Sequence, residues 1–287
     1  MSDPRFVFGY GSSGFGEHTV EDALAVLADL GYRAVNLTLD RRHLDPYADD
    51  LQSRLFQLSK SLDRLGLEVT VEAGGRYLLD PRRPHFPGLA SAIGSERRVD
   101  LLRRAVRVAA DLGAEVLSFS SGPASPAMPD ELVWEQLVAG VAAVAEEAAR
   151  RDVILGFEPV PGMYIDTLDE FDELSRRMGD PEILGLTLDL GHCRCLESGP
   201  VPECVRRTAH RLVHVQVDDT LRGVHEHLEF GHGDIDFPAA LGALTEVGYE
   251  RHVAVDLPRH GHAAPDVAKR SFRFLREAAQ MSAYNCW

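Results

Sequence analysis

The segment HVQVDDTLRGVHEHLEFGHGDIDF, running from His214 to Phe237, sets four histidines among aspartates and glutamates. Other charges stand where an apolar run should end without one. Glu158 closes ILGFEPV, Asp189 lies in LTLDLGH, Asp256 lies in VAVDLPRH, and Gln216 and Asp218 follow one another in HVQVDD. Burying one unpaired carboxylate costs several kcal/mol, and several brought together repel one another. A divalent cation resolves that conflict. Glu158, Asp189, Asp256 and the amide oxygen of Gln216 form an oxygen-rich donor set, which suits Mn²⁺ or Mg²⁺ better than a thiolate-type zinc centre. Taken singly, each acid also reads as a helix N-cap or a loop ion pair; their recurrence on consecutive strands favours the metal.

The histidines extend this reading. His192 lies three residues after Asp189, and His225 and His227 flank Glu226 in the long segment. Together they form either a second, nitrogen-rich position suited to zinc or iron, or a set of hydrogen-bonding groups for a substrate. His214 begins the row that continues with Gln216 and Asp218, because alternate strand residues share a face. It should sit deeper than a ligand and act as a supporting donor. Arg259 either orients substrate hydroxyls or an acidic substituent, or pairs with a surface acid.

The elements that must position these groups alternate regularly. Short β-type runs occur at residues 6–10, 34–39, 68–73, 116–121, 153–159, 184–190, 212–218 and 252–257. Helical patterns separate them at 20–30, 48–65, 96–112, 130–150, 167–178, 201–210 and 238–247, with a last one at 265–280. LGYRAV, LGLEV, LGAEV and VGYERHVAV each place a glycine between a helix and the next strand, where a left-handed C′ residue belongs. Thr167 with Glu170 three residues on predicts a capping box. Eight βα units in series predict an α/β fold, a single (β/α)₈ TIM barrel domain spanning 1–287, with its site at the C-terminal ends of the strands. A dinucleotide fold is disfavoured, since the glycines of GYGSSGFG have the wrong offsets.

Composition narrows the function. The chain has 287 residues, 45% hydrophobic and 26% charged, and a net charge of −15 from 30 basic and 45 acidic side chains. Such a balance repels phosphate backbones, so no nucleic-acid partner is expected. No apolar stretch spans a bilayer and the N-terminus lacks a signal-like pattern, which predicts a cytoplasmic protein with no membrane contact. Cys193, Cys195, Cys204 and Cys286 are irregularly spaced and read as reduced thiols. Apolar residues at the C-terminus, Trp287 among them, point to a homo-oligomer contact.

The residues from Glu158 to Asp256 resemble those of the xylose isomerase-like TIM-barrel superfamily, which includes ketose 3-epimerases, inosose isomerases and dehydratases, and type IV apurinic endonucleases. Glu158 matches the strand-ending Glu of that family, and Asp189 with His192 matches its D-x-x-H motif. Gln216 takes the place of a family His, and Asp256 that of a final Glu. His227, with His225 and His192, resembles the group that holds an additional zinc in the endonucleases. The resemblance implies a divalent-metal-dependent isomerase or epimerase of a sugar or cyclitol. It would act by proton transfer beside a carbonyl through an enediolate, with Glu158 and Asp256 as the acid/base pair. Mn²⁺ is the expected ion, with Mg²⁺, Co²⁺, Zn²⁺ and Fe²⁺ as alternatives. Dehydration or lyase chemistry on a keto-sugar or inosose is the near alternative, and phosphodiester hydrolysis the distant one. The segment GGRYLLDPRRPHFPGLASAIG (74–94) is either a lid bearing Arg76, Arg82 and Arg83 toward an anionic group or a plain surface excursion.

Overall fold

A computed structural model describes residues 6–284 of the chain. Its strands are β1 (Val7–Gly11), β2 (Ala34–Thr38), β3 (Glu68–Glu72), β4 (Val116–Phe119), β5 (Ile154–Phe157), β6 (Leu184–Asp189), β7 (Leu212–Val217) and β8 (His252–Val255). They follow one another in a closed parallel barrel in chain order, as the alternation of elements requires. The helices are α1 (Val20–Leu30), α2 (Leu51–Leu65), α3 (Ser95–Leu112), α4 (Asp130–Ala149), α5 (Leu168–Arg177), α6 (Leu190–Leu196), α7 (Val201–Thr208), α8 (Phe237–Glu246) and α9 (Ala264–Tyr284).

Local chemistry fixes the helix ends. The Thr167 hydroxyl accepts from the Glu170 N–H while the Glu170 carboxylate reaches back to the Thr167 N–H, which completes the expected capping box. Gly31 closes α1 at φ 97° and Gly113 closes α3 at φ 73°, in the left-handed region that favours glycine. The short helix α6 is not anticipated by periodicity, since seven residues show too little of a 3.6-residue repeat. Its start is set by Asp189, whose Oδ1 accepts from the His192 N–H at 2.8 Å.

Two compact units group the chain, one drawn from Met1–Asn36, Ser61–Glu68 and Leu188–Trp287, the other from Leu37–Lys60 and Val69–Thr187. In the first, Tyr10 packs edge-on against Phe15 and Tyr32 with ring centroids 5.6 Å apart. In the second, Phe119 and Phe157 meet edge-on at 5.2 Å, and Phe157 lies 6.1 Å from the Phe171 ring. Register matters most at β7 and β8, where Val217 pairs with Val255. The residues that follow, Asp218 and Asp256, therefore leave their strands at the same level, and the Asp256 N–H donates to the Val217 carbonyl at 3.0 Å. Tyr10 of β1 pairs with Val255 from the other side, which brings the β1 exit to Asp256 as well.

Cys193, Cys195 and Cys204 are buried, unbridged thiols, as their spacing predicts. Cys286 and Trp287 lie outside the described residues. Among the described residues no helix is long and apolar enough to cross a membrane. In the segment 74–94, Arg83 pairs with Asp80 at 2.8 Å and stacks over the Phe86 ring, so this side chain is committed within its own loop.

Candidate metal centre

Asp189 and Asp218 are almost wholly buried, at 2% and 1% exposure, and Asp256 is partly buried. Each ends or directly follows an apolar strand, so the carboxylates are set by backbone register. The Ser13 hydroxyl, delivered by the turn after β1, donates to Asp256 Oδ1 at 3.3 Å. His227 answers the acids: its Nδ1 lies 2.6 Å from Asp218 Oδ2 and 3.4 Å from Asp256 Oδ2. Burial raises the pKa of all three carboxyls, and the charge of Asp189 pushes Asp218 further up. Burial would pull His227 down, but the Asp218 hydrogen bond and the charges of Asp256, Asp218 and Asp189 carry it up to about 10.

One imidazolium does not satisfy three carboxylates. Asp189 Oδ2, Asp218 Oδ1 and Gln216 Oε1 are all buried without a hydrogen-bond partner, a costly state for polar atoms that a bound cation would relieve. Space is kept for this carboxylate: a Cβ at Gly191 would collide with Asp218 Oδ1 and come within 3.1 Å of Asp189 Oδ1. The oxygen-dominated donors fit a hard or borderline divalent ion. Single atoms of Asp189, His227 and Asp256 lie within 4.8 Å of one another, and so do atoms of His192, His225 and His227.

The histidines ride on a loop that Asp219 organises. Its carboxylate accepts from the N–H groups of Gly231 at 2.8 Å, Gly233 at 2.9 Å, Thr220 at 3.0 Å and Ile235 at 3.3 Å. Its backbone bridges Leu228 in antiparallel fashion, which places His227 beside the strand exit. Arg194 of α6 grips Asp234 and ties the loop to the helix that carries His192. The rings of His192, His225 and His227 stand 5.0 to 5.7 Å apart. His225 is the exposed member; partial burial and then the neighbouring imidazoles of His192 and His227 hold it down at about 4.

Among the expected residues, the structure brings Asp189, His192, His225, His227 and Asp256 together at the exits of β6, β7 and β8. His214 is buried within β7, and its burial, with the His252 charge, holds it at about 3, a neutral imidazole. Arg259 is exposed after β8, near enough for its charge to depress His225. Glu158 belongs to the other unit, where it directly follows β5 and is buried at 8% exposure. Sequence reasoning assigned no role to Asp218, Asp219 or Ser13. Asp218 was signalled by its place in the row of His214 and Gln216; the other two are defined by partners far along the chain.

A model of the family described as xylose isomerase-like TIM barrel matches residues 24–278. The chain is 28% identical over 245 residues to the L-ribulose 3-epimerase of Mesorhizobium japonicum, covering 83% of this chain and 75% of that protein. A solved structure of L-ribulose 3-epimerase superposes with a TM-score of 0.79 at 21% identity, over 97% of this chain and 96% of the other. The IolI protein with a bound zinc atom superposes with a TM-score of 0.74 at 16% identity, over 96% and 98% of the two chains. The chain thus belongs to the xylose isomerase-like TIM-barrel family.

Proposed function

We propose that the protein is a divalent-metal-dependent isomerase or epimerase of a sugar or cyclitol that moves a proton beside a carbonyl. The observation that carries this reading is that Asp218 and Asp256 meet a single imidazole, with Asp189 within 4.8 Å of it and buried oxygens left unpartnered. The likeness to an L-ribulose 3-epimerase supports the substrate class, and the zinc atom bound in the IolI structure is consistent with a metal in a protein of this fold. Asp189, Asp256 and Gln216, with the imidazoles of His227, His192 and His225, would hold the ion. Mn²⁺ suits such a mixed but oxygen-rich set best, with Mg²⁺, Co²⁺, Zn²⁺ and Fe²⁺ as competitors. When bound, the ion would polarise the substrate carbonyl and acidify the neighbouring C–H.

The chain's own groups then carry the proton. Glu158, buried after β5, takes it from the carbon beside the carbonyl on one carboxylate oxygen. Asp256 would deliver a proton of its own to the same or the adjacent carbon, so that one turnover leaves Glu158 protonated and Asp256 ionised until both exchange with solvent. Return to the opposite face of the same carbon gives an epimer; return to the former carbonyl carbon gives an aldose–ketose isomer. His192 and Arg259 orient the hydroxyls. Dehydration of a keto-sugar or inosose would begin with the same abstraction and differ only in loss of a β-hydroxyl.

The test is solvent deuterium incorporation across a panel of ketoses and inososes with Mn²⁺ present. Incorporation at one carbon beside the carbonyl supports the reading, and none with any candidate removes it. The ring trio of His192, His225 and His227 favours a second reading, a metal-dependent phosphodiester hydrolase. Nicking of abasic-site DNA at physiological salt would establish it, although the net charge of −15 opposes such a substrate.

A further inference from the structure

The row of inward-facing residues on β7 presents an inconsistency that its neighbours explain. Gln216 is 1% exposed and its Oε1 has no hydrogen-bond partner, yet an amide oxygen is neutral and a weaker donor than imidazole or carboxylate. Two residues on, Asp218 is equally buried and is engaged on one side only. Its Oδ2 meets His227 Nδ1 at 2.6 Å, while Oδ1 is unpartnered and faces the backbone of Gly191. Gly191 is the second residue of α6, between Asp189 and His192, so Asp218 touches both the element that carries two candidate ligands and the loop that carries a third.

We infer that Asp218 is the positioning residue of the metal centre: it fixes His227, so that the loop rather than strand β7 supplies the imidazole that joins Asp189 and Asp256. Three observations converge on this assignment. His227 lies with Asp189 and Asp256 in a group whose donor atoms are within 4.8 Å of one another. Its Nδ1 lies 2.6 Å from Asp218 Oδ2, the shorter of its two carboxylate contacts, and the 3.4 Å approach to Asp256 is looser. The absence of a side chain at Gly191 is what lets Asp218 stand there at all. A carboxylate behind a metal-binding histidine fixes the ring orientation and raises its basicity, and loss of such a partner weakens metal affinity by roughly 10–100-fold.

The inference rests on the metal-centre reading, and the experiment separates the two. Mn²⁺ affinity is measured by titration calorimetry on full-length wild type, Asp218→Asn, His227→Gln, the double variant and Gln216→Met, together with the Co²⁺ absorption spectrum and the apo-protein Tm. Asp218→Asn and His227→Gln should each weaken Mn²⁺ binding by roughly 10–100-fold, and the double variant should be no weaker than the worse single within about 3-fold. Both single variants should change the Co²⁺ spectrum in the same way. Gln216→Met should cost less than either single variant, since a neutral amide oxygen is a weaker donor than a fixed imidazole.

Wild-type affinity in Asp218→Asn, or a double variant whose losses multiply, overturns the inference while leaving the metal centre intact. So does Gln216→Met if it costs more than Asp218→Asn. A wild-type protein that takes up no Mn²⁺ or Co²⁺ overturns the metal centre itself and the inference with it. If Asp218→Asn does not fold, Asp218→Ser decides in its place: weakened Mn²⁺ binding with a changed Co²⁺ spectrum supports the inference, and wild-type affinity with a wild-type spectrum refutes it.

Discussion

Two buried carboxylates in this chain are treated in opposite ways. Glu147, on the face of α4 that meets α3, is ringed by guanidinium groups: Arg107 at 2.9 Å, Arg150 at 2.7 Å and Arg151 at 3.1 Å. The Arg150 hydrogen bond, then those of Arg107 and Arg151, outweigh burial and hold its pKa down at about 2. Asp218, at the exit of β7, has one imidazole and one unpartnered oxygen, and burial pushes its carboxyl well up. Both are acids removed from water; only one has its charge matched by protein groups. An acid fully paired in this way belongs to the fold, whereas under-paired acids gathered in company mark a candidate functional site.

The sharpest way to break this contrast is to neutralise an acid at the strand exits and look for loss of function without loss of fold. Glu158→Gln should lower turnover by about 10²–10⁴-fold, the range for loss of a general base, with a far-UV spectrum and Tm close to wild type. Full activity in this variant would remove Glu158 from the chemistry. Removal of divalent ions by chelation should abolish turnover and lower Tm; readdition of Mn²⁺ at about 100 times its Kd should restore roughly 2.7 kcal/mol of stability. Thermal melts with and without chelator check this, and superposable melts would count against a bound ion.

At Glu147 the expectation reverses. Glu147→Gln should leave turnover untouched and cost on the order of 1–3 kcal/mol in denaturant unfolding, reduced from the full buried-pair value because its arginine partners are partly exposed. The folded pKa of about 2 lies below the ordinary value of 4.5, so the carboxylate's contribution is fully present above the latter. It is lost as pH falls toward the former. The stability gap between wild type and Glu147→Gln should therefore be widest above pH 4.5 and close toward pH 2. A gap independent of pH would show that the ion pairs contribute nothing. The smallest effect is expected at Thr167→Ala, which removes one half of a capping box and should cost about 1 kcal/mol without changing metal affinity.

The same contrast explains what was legible in the sequence. All eight strands and the long helices follow from hydrophobic period and glycine placement, because those signals are local; the predicted and observed strand ends differ by only a few residues. Asp189, Asp256 and Glu158 stood out because each interrupts an apolar run. Asp218 was visible for the same reason, but its role depends on His227, nine positions later, and on the missing side chain of Gly191. Asp219 looks like any loop acid until its bonds to Gly231, Gly233 and Ile235 are seen. Ser13 is a small residue in a glycine-rich stretch whose partner lies 243 positions away. Helix α6 escaped because seven residues carry no usable period, although its N-cap, Asp189, was already marked for another reason.

The central claim is that a divalent ion sits among the carboxylates at the exits of β6 and β8, beside His227. Crystals soaked in Mn²⁺ and recorded at an X-ray wavelength where manganese scatters anomalously test it directly. A single strong anomalous peak within bonding distance of Asp189, Asp256 and His227 is the predicted result. No peak there, with the protein saturated in Mn²⁺ and the carboxylates still gathered about His227, would contradict it.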